Sequence, residues 1–378
     1  MVWQPALAQA KAESAEIQAL IDAEGGEFRA QAWDWWFYSE KIRKNKYDLD
    51  ENALKPYFEL ERVRDGAFEV ARRLYGIQFE ERADVPVYHP DVRVFEVTDF
   101  DGGHLGIFYA DYFTRPGKRG GAWMNNFRDQ SRLDGHEVRP IVVNVCNFSR
   151  PSGDQPALLS LDEVRTLFHE FGHALHGLLA DRTYESLSGT NVRRDFVELP
   201  SQIMENWAMD PEVLREYALH YETLEPIPTE LIEKMQAAER FNQGFTTTEY
   251  LAASFLDMDW HTLSNVDVRD AVEFEESALQ EIGLIPEIVS RYRTTYFSHI
   301  FSGGYSSGYY SYLWAEVLDA DAFEAFRERG LFDKELAASF RENILEAGGS
   351  EPPMELYLRF RGEEPKIDAL LERRGLGP

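Results

Sequence analysis

His169, Glu170 and His173 stand as H-E-x-x-H in the stretch Thr166-Leu-Phe-His-Glu-Phe-Gly-His-Ala-Leu-His-Gly177. On a helix, positions i and i+4 share a face, so both imidazoles can reach one metal ion. Glu170 sits beside them, placed to take a proton from an attacking water. Zinc suits such donors, because with one position left open it lowers the pKa of water to about 7. One zinc ion is therefore the expected cofactor.

Two histidines do not complete a catalytic zinc site; a third protein ligand is needed. His176 follows His169 by seven residues on the same helix. Three ligands on one helix strain a tetrahedral ion, because position i+7 lies two turns away. The other choice lies in Arg194-Asp-Phe-Val-Glu-Leu-Pro-Ser-Gln-Ile-Met-Glu-Asn-Trp207, where Glu198 opens a second helix. A helical hairpin would set Glu198 opposite His169 and His173, and Glu198 is the expected third ligand. His176 and Glu205 remain as groups that could orient an imidazole from behind.

Charge that develops on an oxygen at zinc needs donors from the opposite side. His299-Ile-Phe-Ser-Gly-Gly-Tyr-Ser-Ser-Gly-Tyr-Tyr-Ser-Tyr-Leu-Trp314 offers Tyr305, Tyr309 and Tyr312 at spacings i, i+4, i+7. A neutral phenol donates without adding a competing negative charge. Gly303, Gly304 and Gly308 permit a mobile or closely approached backbone. The blander alternative is a tyrosine stripe packed into the core with wet hydroxyls.

These groups need a frame. The metal helix has an acidic first turn at Leu161-Asp-Glu-Val and an apolar side in Leu167, Phe168, Phe171, Leu175 and Leu178. Residues 1–85 read as helical: Leu7, Ala10, Ala15, Ile17, Leu20 and Ile21 have helical period, and Gly25-Gly26 ends that helix. Ala32-Trp-Asp-Trp-Trp-Phe-Tyr38 begins another helix, its aromatic residues expected in the core. From Pro86 onward Val92–Val97, Leu105–Tyr112 and Pro140–Val145 read as strands, with a turn at Asp99–Gly103 and another at Pro116–Gly121. The expectation is a mainly α protein with a small antiparallel β-sheet just before the metal helix, joined to it by the loop 149–156. Residues 1–85 would form a helical segment packing on a catalytic region of 86–378, and the chain from Leu161 onward would be mainly helical.

With 378 residues and 44% hydrophobic content, the chain can bury a sizeable core. The net charge of −28 argues against nucleic acid, which needs clustered cations. Its cations are mostly arginine; an acid-rich, lysine-poor surface reads as a solvated exterior, with adaptation to high salt the other reading. No apolar run reaches membrane-spanning length, and Met1-Val-Trp-Gln-Pro-Ala has neither the basic nor the apolar region of a secretory signal. A cytoplasmic monomer with no membrane partner is expected. Cys146 is the single cysteine, so no intrachain disulfide can form, and its apolar surroundings suggest a small buried residue rather than a nucleophile.

Three motifs in order, His-Glu-Phe-Gly-His-Ala-Leu-His, Arg-Asp-Phe-Val-Glu-Leu-Pro-Ser-Gln and His-Ile-Phe-Ser-Gly-Gly-Tyr with Tyr-Tyr-Ser-Tyr-Leu-Trp, resemble the thimet oligopeptidase family of zinc peptidases. Further similarity lies in Trp33-Asp-Trp-Trp-Phe-Tyr-Ser-Glu-Lys, Val87-Tyr-His-Pro-Asp-Val-Arg and Lys118-Arg-Gly-Gly-Ala-Trp-Met124, so the likeness extends over essentially the whole chain. It implies a zincin-like catalytic domain acting on short peptides. It implies zinc at His169, His173 and Glu198, with Glu170 as general base and then proton donor. Tyr305 and Tyr312 would bind the oxyanion or substrate, assisted by His299. Gly120, Gly121, Ala122 and the strand after them would pair with the peptide backbone, with Tyr309 a further substrate contact. Trp35-Trp36, Cys146-Asn147 and Ser188-Gly-Thr-Asn191 are similar to the peptidyl-dipeptidase branch, which releases C-terminal dipeptides; Tyr310-Ser-Tyr312 and Gly348-Gly-Ser-Glu351 also resemble the endo-acting oligopeptidase branch. A C-terminal carboxylate needs a cationic or hydroxyl partner, for which Arg291, Arg293 and nearby tyrosines qualify. Family members carry several hundred further, mostly helical residues before the point matching Met1. The chain therefore reads as a catalytic C-terminal half, and a silent zinc-binding fragment is the third reading.

Overall fold

The structure is a computed structural model and describes residues 1–153, 155–265 and 270–377. Asp154, inside the expected linking loop 149–156, lies outside the described residues. In chain order the principal helices are α1 (Trp3–Ala23), α2 (Trp35–Tyr47), α3 (Leu60–Tyr75), α4 (Leu161–Leu178), α5 (Leu199–Met209), α6 (Gln243–His261), α7 (Ala271–Glu281) and α8 (Ser311–Arg329). The strands are β1 (Gln78–Glu81), β2 (Arg93–Thr98), β3 (His104–Phe113), β4 (Trp123–Arg128) and β5 (Ile141–Phe148). Two compact units emerge, each assembled from separated stretches. One comprises residues 51–232 and 315–366; the other comprises 1–50, 233–314 and 367–378. This division falls at residue 50 rather than at 85, because α3 and β1 pack with the sheet.

The first of these units holds the sheet and the metal helix. Strand order is β1-β2-β3-β5-β4. Three pairings are antiparallel, as the sequence suggests, but β3 and β5 run parallel, so the sheet is mixed. The stretch between Phe113 and Ile141, which carries β4, provides the length that a parallel crossover requires. β4 is thereby left at the sheet edge. β1 lies in the segment read as helical; at four residues it is too short to show a period.

An aromatic cluster seats α4 on the sheet. Phe68 of α3 stacks on Phe79 at 4.0 Å between centroids and meets Phe95 edge-on at 5.1 Å. Phe171 of α4 enters the same cluster, 5.5 Å from Phe68 and 6.0 Å from Phe108. Gly177 brings α4 close to the strands: a methyl group there would lie 2.7 Å from Met124 and 3.1 Å from Val142. Cys146 is fully buried, and burial pushes its thiol well above the usual value, consistent with a packing role.

In the other unit α1 packs on α6. Gly244 lets them meet, since a β-carbon there would sit 2.4 Å from the Ala10 nitrogen. Glu13 then accepts from the Gly244 and Phe245 N–H groups at 3.0 and 2.8 Å, capping α6 from a neighbouring helix. The aromatic run at 33–37 divides. Trp35 is buried, stacks on Phe245 at 4.7 Å and donates to Asn242 Oδ1 at 2.9 Å. Trp33, Trp36 and Phe37 are exposed, because successive helical residues point about 100° apart and only one can face the core.

Candidate metal centre and catalytic groups

α4 begins with a reciprocal cap: Ser160 Oγ accepts from the Glu163 N–H at 3.2 Å, and the Glu163 carboxylate accepts from the Ser160 N–H at 2.8 Å. The helix then carries His169, Glu170 and His173 past α5. The two helices approach closely at Gly172, where a β-carbon would lie 2.2 Å from the Pro200 carbonyl oxygen and 2.6 Å from Ser201 Cα. Glycine at 172 is thus required by the crossing, two residues from the start of α5. Pro200 in the first turn of α5 costs no backbone hydrogen bond, since that turn's N–H groups lack helical acceptors.

Glu198 immediately precedes α5 and is 3% exposed. Its Oε2 lies 3.3 Å from His169 Nε2 and 3.1 Å from His173 Nε2. Ligands on a tetrahedral ion with bonds of about 2.0–2.1 Å are separated by about 3.3 Å. Two imidazole nitrogens and a carboxylate oxygen at this spacing therefore fit zinc in both donor type and separation. They form the one group of three potential metal donors found among the described residues.

Surrounding groups hold these donors. Glu205, two turns along from Glu198, accepts a hydrogen bond from His169 Nδ1 at 2.7 Å and leaves Nε2 toward Glu198. Ser201 Oγ donates to Glu198 Oε2 at 3.0 Å. Burial opposes charge on His169, but Glu198 and Glu205 outweigh it and hold its pKa well above the usual value. Burial likewise opposes ionisation of Glu198, and the imidazoles outweigh it, holding the carboxyl well below its usual range. Ser201 was not singled out in the sequence; its place three residues after a capping-position Glu was the available signal.

Glu170 differs from both. It is 5% exposed, and its Oε2 has no hydrogen-bond partner among the described residues. Burial raises its carboxyl pKa, while the His169 and His173 imidazoles pull it the other way. A largely buried carboxylate with a raised pKa and one oxygen left without a protein donor is suited to exchanging a proton with a small molecule. His176 is fully buried, and burial pushes its pKa down to about 3, leaving a neutral ring at ordinary pH. Neither ring nitrogen bonds another group among the described residues, so His176 does not orient His169 or His173. It faces a different neighbour because seven residues of helix fall short of two turns by only about 20° while advancing about 10 Å.

Before β4, the loop holding Gly120, Gly121 and Ala122 is braced from below. Lys118 Nζ donates to the Asp111 and Phe113 carbonyls at 2.9 and 2.8 Å and to Asp111 Oδ1 at 3.0 Å. Arg115 adds a two-pronged contact to the same carboxylate at 2.6 and 2.8 Å. Asn147 donates to the Arg119 and Gly121 carbonyls at 2.8 and 2.7 Å. Gly121 has φ +87°, a conformation that glycine adopts without strain. The loop thus delivers β4 to the sheet with one backbone edge unpaired by any strand among the described residues.

The tyrosine segment belongs to the other unit. His299 lies in a short helix, Ser298–Phe301, and Tyr305 N–H donates to the His299 carbonyl at 3.0 Å. The segment then turns rather than continuing as the single helix that the i, i+4, i+7 spacing suggests. Gly304 and Ser307 have φ of +81° and +54°, and α8 begins only at Ser311. The rings converge all the same. Tyr305 and Tyr312 stack at 5.2 Å with planes 11° apart, and Tyr309 meets Tyr312 at 5.4 Å and His299 at 5.7 Å. Tyr309, expected to contact substrate, is instead 3% exposed and packs edge-on to Phe297 at 4.9 Å. The turn rotates it inward, so it acts as a post against which the partly exposed Tyr312 rests, and Tyr305 stacks on Tyr312 in turn.

The sequence profile described as Peptidase family M3 matches residues 2–376. Dipeptidyl carboxypeptidase of Escherichia coli K12 is 51% identical over 371 residues, 97% of this chain and 54% of that protein. Oligopeptidase A of the same organism is 44% identical over 371 residues, 97% of this chain and 55% of its own length. The chain thus spans about half the length of the curated relatives it matches. Among solved structures, PZ peptidase A with an inhibitor aligns with a TM-score of 0.50 at 14% identity, covering 96% of this chain and 57% of that one, a likeness of fold. No helix among the described residues is long and apolar enough to cross a membrane. With a family profile spanning nearly every residue, the chain belongs to peptidase family M3.

Proposed function

We propose that the chain is a zinc peptidase that acts on short unstructured peptides and releases C-terminal dipeptides. The observation that carries this reading is the buried Glu170 carboxylate, its Oε2 without a partner among the described residues, beside the His169, His173 and Glu198 donors. Zinc held by those donors supplies an electrophile that acidifies water and polarises the scissile carbonyl. Glu170 takes the proton of the attacking water and returns it to the leaving amine. Glu205 and Ser201 keep His169 and Glu198 in their donor orientations. Tyr305 and Tyr312 donate to the developing oxyanion or to the substrate, and His299 assists. Gly120, Gly121, Ala122 and the open edge of β4 hold the peptide backbone in an extended form.

Release of dipeptides requires an anchor for the terminal carboxylate. Of the arginines that qualify by sequence, Arg293 is closely paired with Glu275, which also accepts from the Thr294 N–H at 2.7 Å. Arg291 makes no ion pair among the described residues and is the better assignment. The greater identity to dipeptidyl carboxypeptidase than to oligopeptidase A supports exo-cleavage over internal cleavage.

The test is a mass-spectrometric product ladder from an N-acetylated peptide of about eight residues, long enough for several extended subsites, with free and amidated C-termini compared. Stepwise loss of dipeptides from the free acid alone is expected. Internal cleavage of both peptides would instead establish endo-cleavage. No cleavage by folded, zinc-loaded protein would overturn the peptidase reading in favour of silent zinc binding.

A further inference from the structure

We propose that Asp257 is a positioning residue for the reaction: its buried carboxylate fixes the turn that carries Tyr305 and Tyr312. The inference rests on the reading of those tyrosines as donors. Asp257 lies on α6 and is wholly inaccessible to solvent. Its Oδ1 accepts from the Ser307 N–H at 3.0 Å, and its Oδ2 accepts from the Tyr309 N–H at 2.9 Å. Each carboxylate oxygen thus holds one main-chain N–H of the turn. His261, one helical turn further along α6, lies with Nδ1 2.8 Å from Oδ1 and completes the shell.

The turn has need of such an anchor. Ser307 is one of few non-glycine residues with positive φ, a conformation that costs about 1 kcal/mol or more unless surroundings impose it. No repeating helix ladder spans Ser302 to Tyr310, so its N–H groups must find other acceptors. Tyr250, two turns before Asp257, holds the other side: its hydroxyl donates to the Tyr309 carbonyl and accepts from the Leu313 N–H at 3.1 Å. α6 therefore grips the turn at Ser307, Tyr309 and Leu313, between and beyond the two tyrosines. Tyr309 is the post on which Tyr312 rests, so a shift at Tyr309 moves the donor rings.

Asp257→Asn preserves volume but offers one acceptor in place of two, leaving an N–H facing an NH2 group. In zinc-loaded protein, kcat is expected to fall about tenfold or more with KM little changed, as for an interaction realised in the transition state. Affinity for a phosphinic peptide, whose oxyanion mimics that state, should fall by a similar factor, whereas affinity for the product peptide should not. Hydrogen exchange should quicken at the Ser307 and Tyr309 amides. Equal losses in both affinities would reduce Asp257 to a structural residue and overturn the proposal. So would unchanged kcat and phosphinate affinity while Tyr305→Phe lowers both. If Tyr305→Phe and Tyr312→Phe are themselves silent, the tyrosine reading fails instead, and the anchor can be read from hydrogen exchange alone. Should Asp257→Asn not fold, Tyr250→Phe removes the grip on Tyr309 and Leu313 and must give the same selective loss of phosphinate affinity; its absence would overturn the proposal.

Discussion

The candidate metal hairpin and the tyrosine turn are positioned by opposite means. Helices α4 and α5 are regular and pressed together at a glycine, so backbone geometry brings His169, His173 and Glu198 together and Glu205 and Ser201 only trim their orientation. The tyrosine turn has no such frame. Its shape depends on side chains of α6 that accept and donate to its backbone, and on positive φ at Gly304 and Ser307. The contrast teaches that donors to a metal can be placed by periodic structure, whereas donors arriving from separate points need an irregular segment and an external brace. It also predicts different sensitivities: the hairpin should respond to steric changes, and the turn to single hydrogen bonds.

Glu170→Gln offers the largest effect and the sharpest check. Turnover should fall by about 10³-fold, in the range of general acid–base catalysis, while zinc stoichiometry measured by elemental analysis stays at one. Retained hydrolysis would remove Glu170 from the chemistry. Tyr305→Phe or Tyr312→Phe should lower kcat by about 10²-fold if either phenol donates to the oxyanion, with zinc content and melting temperature unchanged. A rise confined to KM would make that tyrosine a ground-state contact.

On the hairpin, Glu205→Gln should weaken zinc binding by about 10–100-fold, the usual consequence of disturbing a ligand's hydrogen-bond partner, as read by competition with a chelator. Gly172→Ala should destabilise the fold by about 1–3 kcal/mol through overpacking against Pro200 and Ser201. Zinc affinity should fall in parallel, because α5 carries Glu198. If Gly172→Ala left both unchanged, the close crossing would not be what sets the donor spacing.

The smallest effect lies outside both regions and calibrates them. Arg341 contacts the Asp99 carboxylate at 2.9 and 2.6 Å. Burial opposes ionisation of Asp99, but Arg341 outweighs it and its pKa is lowered. A lowered folded-state pKa stabilises the protein above the unfolded value and is lost as pH falls through the folded one. Asp99→Asn should therefore cost about 1 kcal/mol at pH 7, and its melting temperature should converge on that of the parent as pH drops below about 4. A constant difference across that range would discount the ion pair.

Much of the hairpin was legible in the sequence because helical period and metal-donor chemistry leave regular marks. His169, Glu170 and His173 announce themselves by spacing, and Glu198 follows from the need for a ligand on a second helix. Glu205 shares its face by simple arithmetic, and the structure supplies its bond to His169. His176 shows the limit of that arithmetic, since spacing gives a side of the helix but not what lies opposite. The parallel β3–β5 pairing was hidden because strand composition carries no direction. Tyr309 was misplaced because its spacing imitates a helix where Gly303-Gly304 and Ser307 make a turn. Asp257 left no mark at all: a carboxylate on a mostly apolar helix gives no hint that its partners lie fifty residues away. The separated motifs and the family profile agree on the family, because each motif is a short unbroken run that sequence alone can show.

The edge position of β4 carries a cost unrelated to catalysis. A strand edge open enough to receive an extended peptide is equally open to the strand of a partly unfolded neighbour, and so invites aggregation. The register of β4 against β5 breaks between Asn126 and Arg128, which limits the straight, bondable run to the first few residues. Asn125, Asn126 and Arg128 add polar and charged side chains where a sticky edge would carry β-branched ones. The bondable edge is thereby short and bent, which keeps it from templating a growing sheet.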